Sequence, residues 1–197
     1  MVNVGGAKKE SGHLEKLKLL PYNDKLDLTY FYTKAKEKGY YNNCSKEVLI
    51  DCFNDVKEKQ FWILYEEDLP IGSVGVHSFD DVMGPGSYRI LARTCIVKPV
   101  EHNLRNKSGF KTHDHVVDKL FVPQCLLWAN SDKVYATSNM SSIASQRLVH
   151  TIYFPIMQQM GLVSKIKEVE YRKQTQTVWQ YHPEKFLTSL YSAHPSL

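Results

Sequence analysis

Long apolar runs are missing from this chain of 197 residues. No stretch approaches the ~20 residues that a membrane-spanning helix needs, which excludes an integral helical membrane protein and leaves no membrane partner to expect. An apolar leader is missing too. The first twelve residues hold Gly5, Gly6 and Lys8–Lys9 but no h-region, so they do not read as a secretory signal. Residues 1–12 are expected to be a flexible end and residues 13–197 a single domain. Cysteine is scarce: Cys44, Cys52, Cys95 and Cys125 show no C-x-x-C spacing, and each sits in or beside an apolar run. That predicts free, reduced, buried thiols and a cytoplasmic location. Net charge is small, at +4, too little to argue for a nucleic-acid binder, which concentrates many more Lys and Arg on one face. Internal repeats, low-complexity tracts and composition breaks are absent, so no linker divides the chain.

What is present is ordinary globular material. Hydrophobic residues make up 43% and charged residues 23%, enough for a core. Leu14–Leu20 reads as a strand ended by Pro21. Asp24 is placed to cap a helix stopped by Gly39, and Ser45 to cap a second. The period then changes. Phe61–Tyr65 and Ile71–His77 predict an antiparallel hairpin, with the turn between them. Asp80–Ser87, with Gly84-Pro85-Gly86, predicts a loop, and Tyr88–Val97 a third strand. After a polar, basic loop from Lys98 to Asp114, a helix is expected from about Val116 to Asn130, kinked or started late by Pro123. Lys133–Ser138 is a strand. A long helix bent by Pro155 follows, ending at Gly161, and Leu162–Glu170 and Thr175–His182 close the chain as strands; residues 184–197 carry no clear pattern. The strand-helix-strand unit from Tyr88 to Ser138 demands a parallel crossover. The expected fold is therefore α/β, with a mixed, mostly antiparallel central sheet and helices on both faces.

This order resembles the GNAT N-acetyltransferase superfamily along nearly its whole length. Ile96-Val97-Lys98-Pro99 is similar to the family's apolar-x-Pro step after its fourth strand. Ala136-Thr137-Ser138-Asn139 resembles the entry into its last long helix, and Met160-Gly161-Leu162-Val163 that helix's end. The resemblance implies acetyl-CoA as co-substrate and an amine as acceptor. It also implies that the pantetheine arm lies where strands four and five splay, against the backbone of Cys95, Ile96 and Val97, with Asn139 on the arm. A free N–H near Ile96 would receive the charge developing on the thioester oxygen.

The coenzyme pyrophosphate needs main-chain donors and positive charge. Lys98, Arg105, Lys107 and Lys111 outnumber Glu101 and Asp114 in the preceding loop, and Arg105, Asn106, Lys107, Ser108 and Gly109 are the expected coenzyme contacts. A solvated polar loop is the plain alternative. The family's pattern is incomplete here. Ser108 and Phe110 replace small loop residues, Met157 stands where many members carry a Tyr, and the strand Tyr88–Val97 has no carboxylate. His77 is then the candidate base and Tyr153 the candidate acid, each with a structural role as the plain alternative. His113-Asp114-His115 with His102 looks like a capping Asp flanked by exposed histidines, and no metal is expected. Two functions stay open at this point: an acyl-CoA-dependent N-acyltransferase, and a catalytically inactive binding protein on the same fold. A homodimer is compatible with either.

Overall fold

The computed structural model describes residues 16–23, 25–40, 45–47, 59–97, 116–140, 147–171 and 174–193. In chain order the elements are β1 (Leu17–Pro21), α1 (Thr29–Glu37), β2 (Lys59–Glu66), β3 (Leu69–Ser78), α2 (Asp80–Met83) and β4 (Tyr88–Ile96). A π-turn (Val117–Phe121) then runs into α3 (Val122–Ala129), followed by β5 (Val134–Ser138). A second π-turn (Val149–Tyr153) runs into α4 (Phe154–Gln159), and β6 (Val163–Tyr171), β7 (Gln174–Tyr181) and α5 (Pro183–Ala193) complete the fold. The strands form one seven-stranded sheet in the order β1-β2-β3-β4-β5-β7-β6. β4 and β5 pair in parallel, while β1–β2, β5–β7 and β6–β7 pair antiparallel. This is the mixed, mostly antiparallel sheet predicted from the order of elements.

The contacts divide the chain into two units, Met1–Gly75 with Arg93–Phe121, and Val76–Ala92 with Val122–Leu197. In the first unit, Leu28, Phe31 and Ala35 recur at helical spacing and are buried, as are Ile63 and Leu64 of β2 and Ile71 and Val74 of β3. Gly75 has a specific job in this packing. A Cβ there would sit 2.1 Å from the Phe61 ring, so only glycine lets that ring lie against β3. Helix α1 starts later than the sequence suggests. Asp24 lies outside the described residues, and Asp27 accepts the Thr29 N–H through Oδ1 at 2.9 Å. The two hydrogen bonds from Thr29, side chain and backbone, hold the Asp27 carboxyl below its ordinary pKa. Gly39 stops the helix as expected, with φ of 84°. Most of the second helix expected after Ser45 lies outside the described residues.

In the second unit the register sorts side chains onto two faces. Trp179 and Tyr181 of β7 point to one face, where Phe154 stacks on Trp179 with ring centroids 5.0 Å apart. Tyr153, Met157 and Phe186 are buried beside them, so α4 and α5 cover this side. Val178 points the other way and packs with Phe79 and Tyr135, flanked by Val82 and Met83 of α2.

Three local expectations are corrected. The loop predicted over Asp80–Ser87 begins as a helical turn, because Val82 and Met83 N–H bond to Phe79 O while Asp80 Oδ1 accepts the Ser87 N–H at 3.1 Å. Only Gly84-Pro85-Gly86 behaves as a loop. The kinks predicted at Pro123 and Pro155 take the form of π-turns that end two residues before each proline. A proline lacks the N–H for its i−4 carbonyl and its ring crowds that carbonyl, and a widened turn just upstream accommodates both. The unpatterned tail forms α5, which buries Phe186 against Tyr181 at 5.8 Å between ring centroids.

Candidate functional site

β4 carries the first group of candidate residues. Its parallel register with β5 covers two rows, Tyr88↔Val134 and Arg89↔Tyr135. The backbone then turns left-handed twice, at Leu91 (φ 55°) and Arg93 (φ 53°). Neither residue is Gly or Asn, so each position costs about 1–2 kcal/mol that the surroundings must offset. Two anchors contribute to that. Ser73 Oγ donates to Arg93 O at 2.7 Å, and the Leu91 main chain hydrogen-bonds to the Cys125 sulfur.

Beyond this double turn, Cys95, Ile96 and Val97 are buried. The Val97 N–H donates to Ile71 O of β3 at 2.8 Å. The Cys95 carbonyl faces β3 as well, 3.0 Å from where a Gly72 Cβ would sit. Peptide groups alternate along a strand, so the Ile96 N–H and C=O point to the edge turned away from β3. Thr94 Oγ1 is buried and finds no hydrogen-bond partner among the described residues. Burial pushes the Cys95 thiol up to about 12, against a small opposing pull from the Lys38 ammonium. Cys95 is thus a neutral thiol at physiological pH, and its contribution to a ligand is main-chain.

A second group, described by itself, is a polar cluster. Arg89 pairs in register with Tyr135, yet its Nε donates to Thr137 Oγ1 at 3.0 Å, two residues farther along β5. The guanidinium therefore lies past the last paired row. One terminal nitrogen faces His77 Nε2 at 3.4 Å, and the guanidinium carbon sits 5.4 Å from the Tyr171 ring centroid. His77, the candidate base, is 3% exposed, and its Nδ1 lies 2.6 Å from Ser78 O. A carbonyl can only accept, so Nδ1 carries the proton and Nε2 is the acceptor facing Arg89. Sequence reasoning missed Arg89, Thr137 and Tyr171. The available signal was an arginine near the start of a largely apolar strand, Tyr88-Arg89-Ile90-Leu91.

A third group lies at the end of β5. Ser138 Oγ accepts from Trp179 Nε1 at 2.8 Å and contacts His150 Nδ1 at 2.9 Å, which ties the second π-turn to the sheet. Asn139 Nδ2 donates to Gln174 Oε1 at 2.7 Å. Tyr153, the candidate acid, is buried with its hydroxyl 3.3 Å from that of Tyr181. Arg105, Asn106, Lys107, Ser108 and Gly109 lie outside the described residues, as do His102 and His113–His115. Among the described residues no cluster of three or more His, Cys, Asp or Glu is placed to hold a metal, and no helix is long and apolar enough to cross a membrane.

No protein-family model matches the chain, and no curated protein matches its sequence. Solved structures do match its shape. The N-acyl amino acid synthase FeeM from uncultured soil microbes superposes with a TM-score of 0.55 at 6% identity, over 90% of this chain and 97% of that one. The aminoglycoside acetyltransferase AAC(6')-Ib, solved with coenzyme A, gives 0.57 at 10% identity, over 88% and 99%. A Bordetella pertussis protein provisionally assigned to the GNAT acetyltransferases gives 0.53 at 13%, over 85% and 96%. Agreement of shape at such low identity establishes architecture and not activity. The chain has the acyl-CoA N-acyltransferase fold.

Proposed function

We propose that the chain is an acyl-CoA-dependent N-acyltransferase that moves an acetyl group from acetyl-CoA to an amine. The observation that carries this reading is β4 itself, which leaves its parallel register after Arg89 and turns an Ile96 peptide edge away from β3. A pantetheine arm carries amides in series and can add to such an edge as a short strand does. The buried Thr94 hydroxyl, without a partner among the described residues, fits this assignment, because leaving it unmatched costs about 1–3 kcal/mol. Acetyl-CoA supplies an activated acyl thioester. Cys95, Ile96 and Val97 hold its arm, with the Ile96 N–H set to receive charge developing on the carbonyl oxygen. Asn139 steadies the arm, and Arg105, Asn106, Lys107, Ser108 and Gly109 hold the pyrophosphate. His77 Nε2 accepts the proton that the attacking amine must lose, and the Tyr153 hydroxyl protonates the departing thiolate. Holding amine and thioester together contributes much of the rate. The neighbouring structures with coenzyme A bound support this choice of co-substrate.

The test is thermal unfolding with acetyl-CoA. At a ligand concentration of a hundred times Kd, stabilisation is about 2.7 kcal/mol, which in a chain of this size is a rise in Tm of roughly 5–11 °C. An unchanged Tm at millimolar acetyl-CoA would end this proposal. One observation favours the second reading, a catalytically silent binding protein. The Tyr153 hydroxyl lies against that of Tyr181 inside an aromatic core, which suits structure as well as acid catalysis. A coenzyme-induced rise in Tm with no thiol release across a panel of amines would select it.

A further inference from the structure

Helix α4 and the π-turn that leads into it bury one face and leave the other to solvent. Tyr153, Phe154 and Met157 form the buried face. On the outer face Leu148, Ile152, Ile156 and Met160 recur at every fourth residue. Leu148 is 43% exposed, Ile156 39% and Met160 59%, and Ile152 is half-buried. Both ends of the row are helical: Leu148 has φ −62° and ψ −39°, and the Met160 N–H bonds Ile156 O at 3.0 Å. Four residues slightly exceed an α-helical turn of 3.6 but fall short of a π-turn. The row therefore drifts one way along α4 and back across Val149–Tyr153, so the π-turn keeps the four side chains in one straight ridge.

Two properties of the ridge say what covers it. Leu148–Met160 contains no Asp, Glu, Lys or Arg, although 23% of the chain is charged. Depletion of charge marks the centre of a protein interface, whereas a helix lying on a lipid surface is rich in Lys and Arg on its polar face. The ridge is also symmetric about Phe154. Turned end for end against its own image, Leu148 meets Met160 and Ile152 meets Ile156, apolar against apolar at every step. A two-fold interface demands that self-complementarity, and an unrelated partner does not. Rows spaced by four residues pack into the grooves of like rows, with helix axes crossing at about 50°. The ridge exposes on the order of 300 Å² of apolar surface, the size of a functional patch. Two facing ridges supply about half of the ~1,200 Å² that a specific interface buries, and the exposed Thr151, Gln158 and Gln159 beside them form a polar rim.

We infer that this ridge is the interface of a homodimer, in which two copies of the chain pack α4 against α4, antiparallel, about a two-fold axis at Phe154. The inference goes beyond the transferase reading and holds or fails independently of it. The experiment is sedimentation velocity over a wide range of protein concentration. The proteins are the wild type, Ile156→Lys, Leu148→Glu and Met160→Lys, each checked for an unchanged circular dichroism spectrum. The substituted side chains are largely exposed, so the fold tolerates the charges. The wild type should pass from monomer to dimer as concentration rises, and each variant should weaken association at least ~10-fold. An equimolar mixture of Leu148→Glu and Met160→Lys should dimerise again, because the two-fold axis sets the new carboxylate of one copy beside the new ammonium of the other. A wild type that stays monomeric, including one that binds lipid vesicles instead, overturns the inference. So does a dimer that survives all three substitutions, or a mixture that stays monomeric.

Discussion

Cys95 and Cys125 set the residue scale. Burial pushes each thiol from an ordinary 9.0 up to about 12. At pH 8 the thiolate fraction is therefore about a thousandfold lower than in the unfolded chain, and the thiolate is the nucleophile. Iodoacetamide should leave both residues unmodified in the native protein and label both once denaturant is added, as read by peptide mass spectrometry. Rapid native labelling of Cys95 would show that β4 opens to solvent. At this scale the sequence was informative about burial and weak about partners. Cys95, Ile96 and Val97 were legible as core because they sit in an unbroken apolar run. The Arg89 cluster was not, because its members come from positions 77, 89, 137 and 171 and converge only when β3, β4, β5, β7 and β6 pair in order.

At the scale of elements, caps decide where helices stop. Asn130 follows α3 with φ of 43°, and its N–H bonds Leu126 O at 3.0 Å. Asparagine tolerates that region better than most residues, and glycine better still. Asn130→Ala should cost about 1 kcal/mol, read as a lower urea midpoint with an unchanged m-value, whereas Asn130→Gly should be neutral or slightly stabilising. Equal losses in both would mean that the asparagine side chain, not the backbone, closes the helix. The β2–β3 hairpin was legible because Phe61–Tyr65 and Ile71–His77 are apolar runs parted by a charged turn. The turn of α2 was hidden by the glycines and proline behind it. The prolines announced a disturbance, but nothing in a sequence distinguishes a bend from a widened turn; that choice depends on what packs against the helix.

For the whole molecule, alkali is the informative stress. Burial raises the pKa of Cys95, Cys125, Tyr65 and Tyr135 in the folded state. Between the ordinary values and the raised ones, the fold binds more protons than the unfolded chain, so stability falls as pH rises. The contribution is complete below about pH 9 and lost progressively toward pH 12. A urea midpoint that holds steady from pH 7 to 9 and then drops is the expected profile; a flat profile would mean that these groups are reached by water. The architecture as a whole was legible from the alternation of strand and helix periods, which survives where individual motifs do not. Leu91 and Arg93 show how far that separation goes. Neither is a residue that chooses a left-handed backbone for itself, so the double turn of β4 belongs to the assembled sheet and not to the segment that makes it. Transplanted into another strand, those few residues would run straight. The opening is thus not a portable motif, and a chain can keep it while every recognisable word of its spelling drifts away.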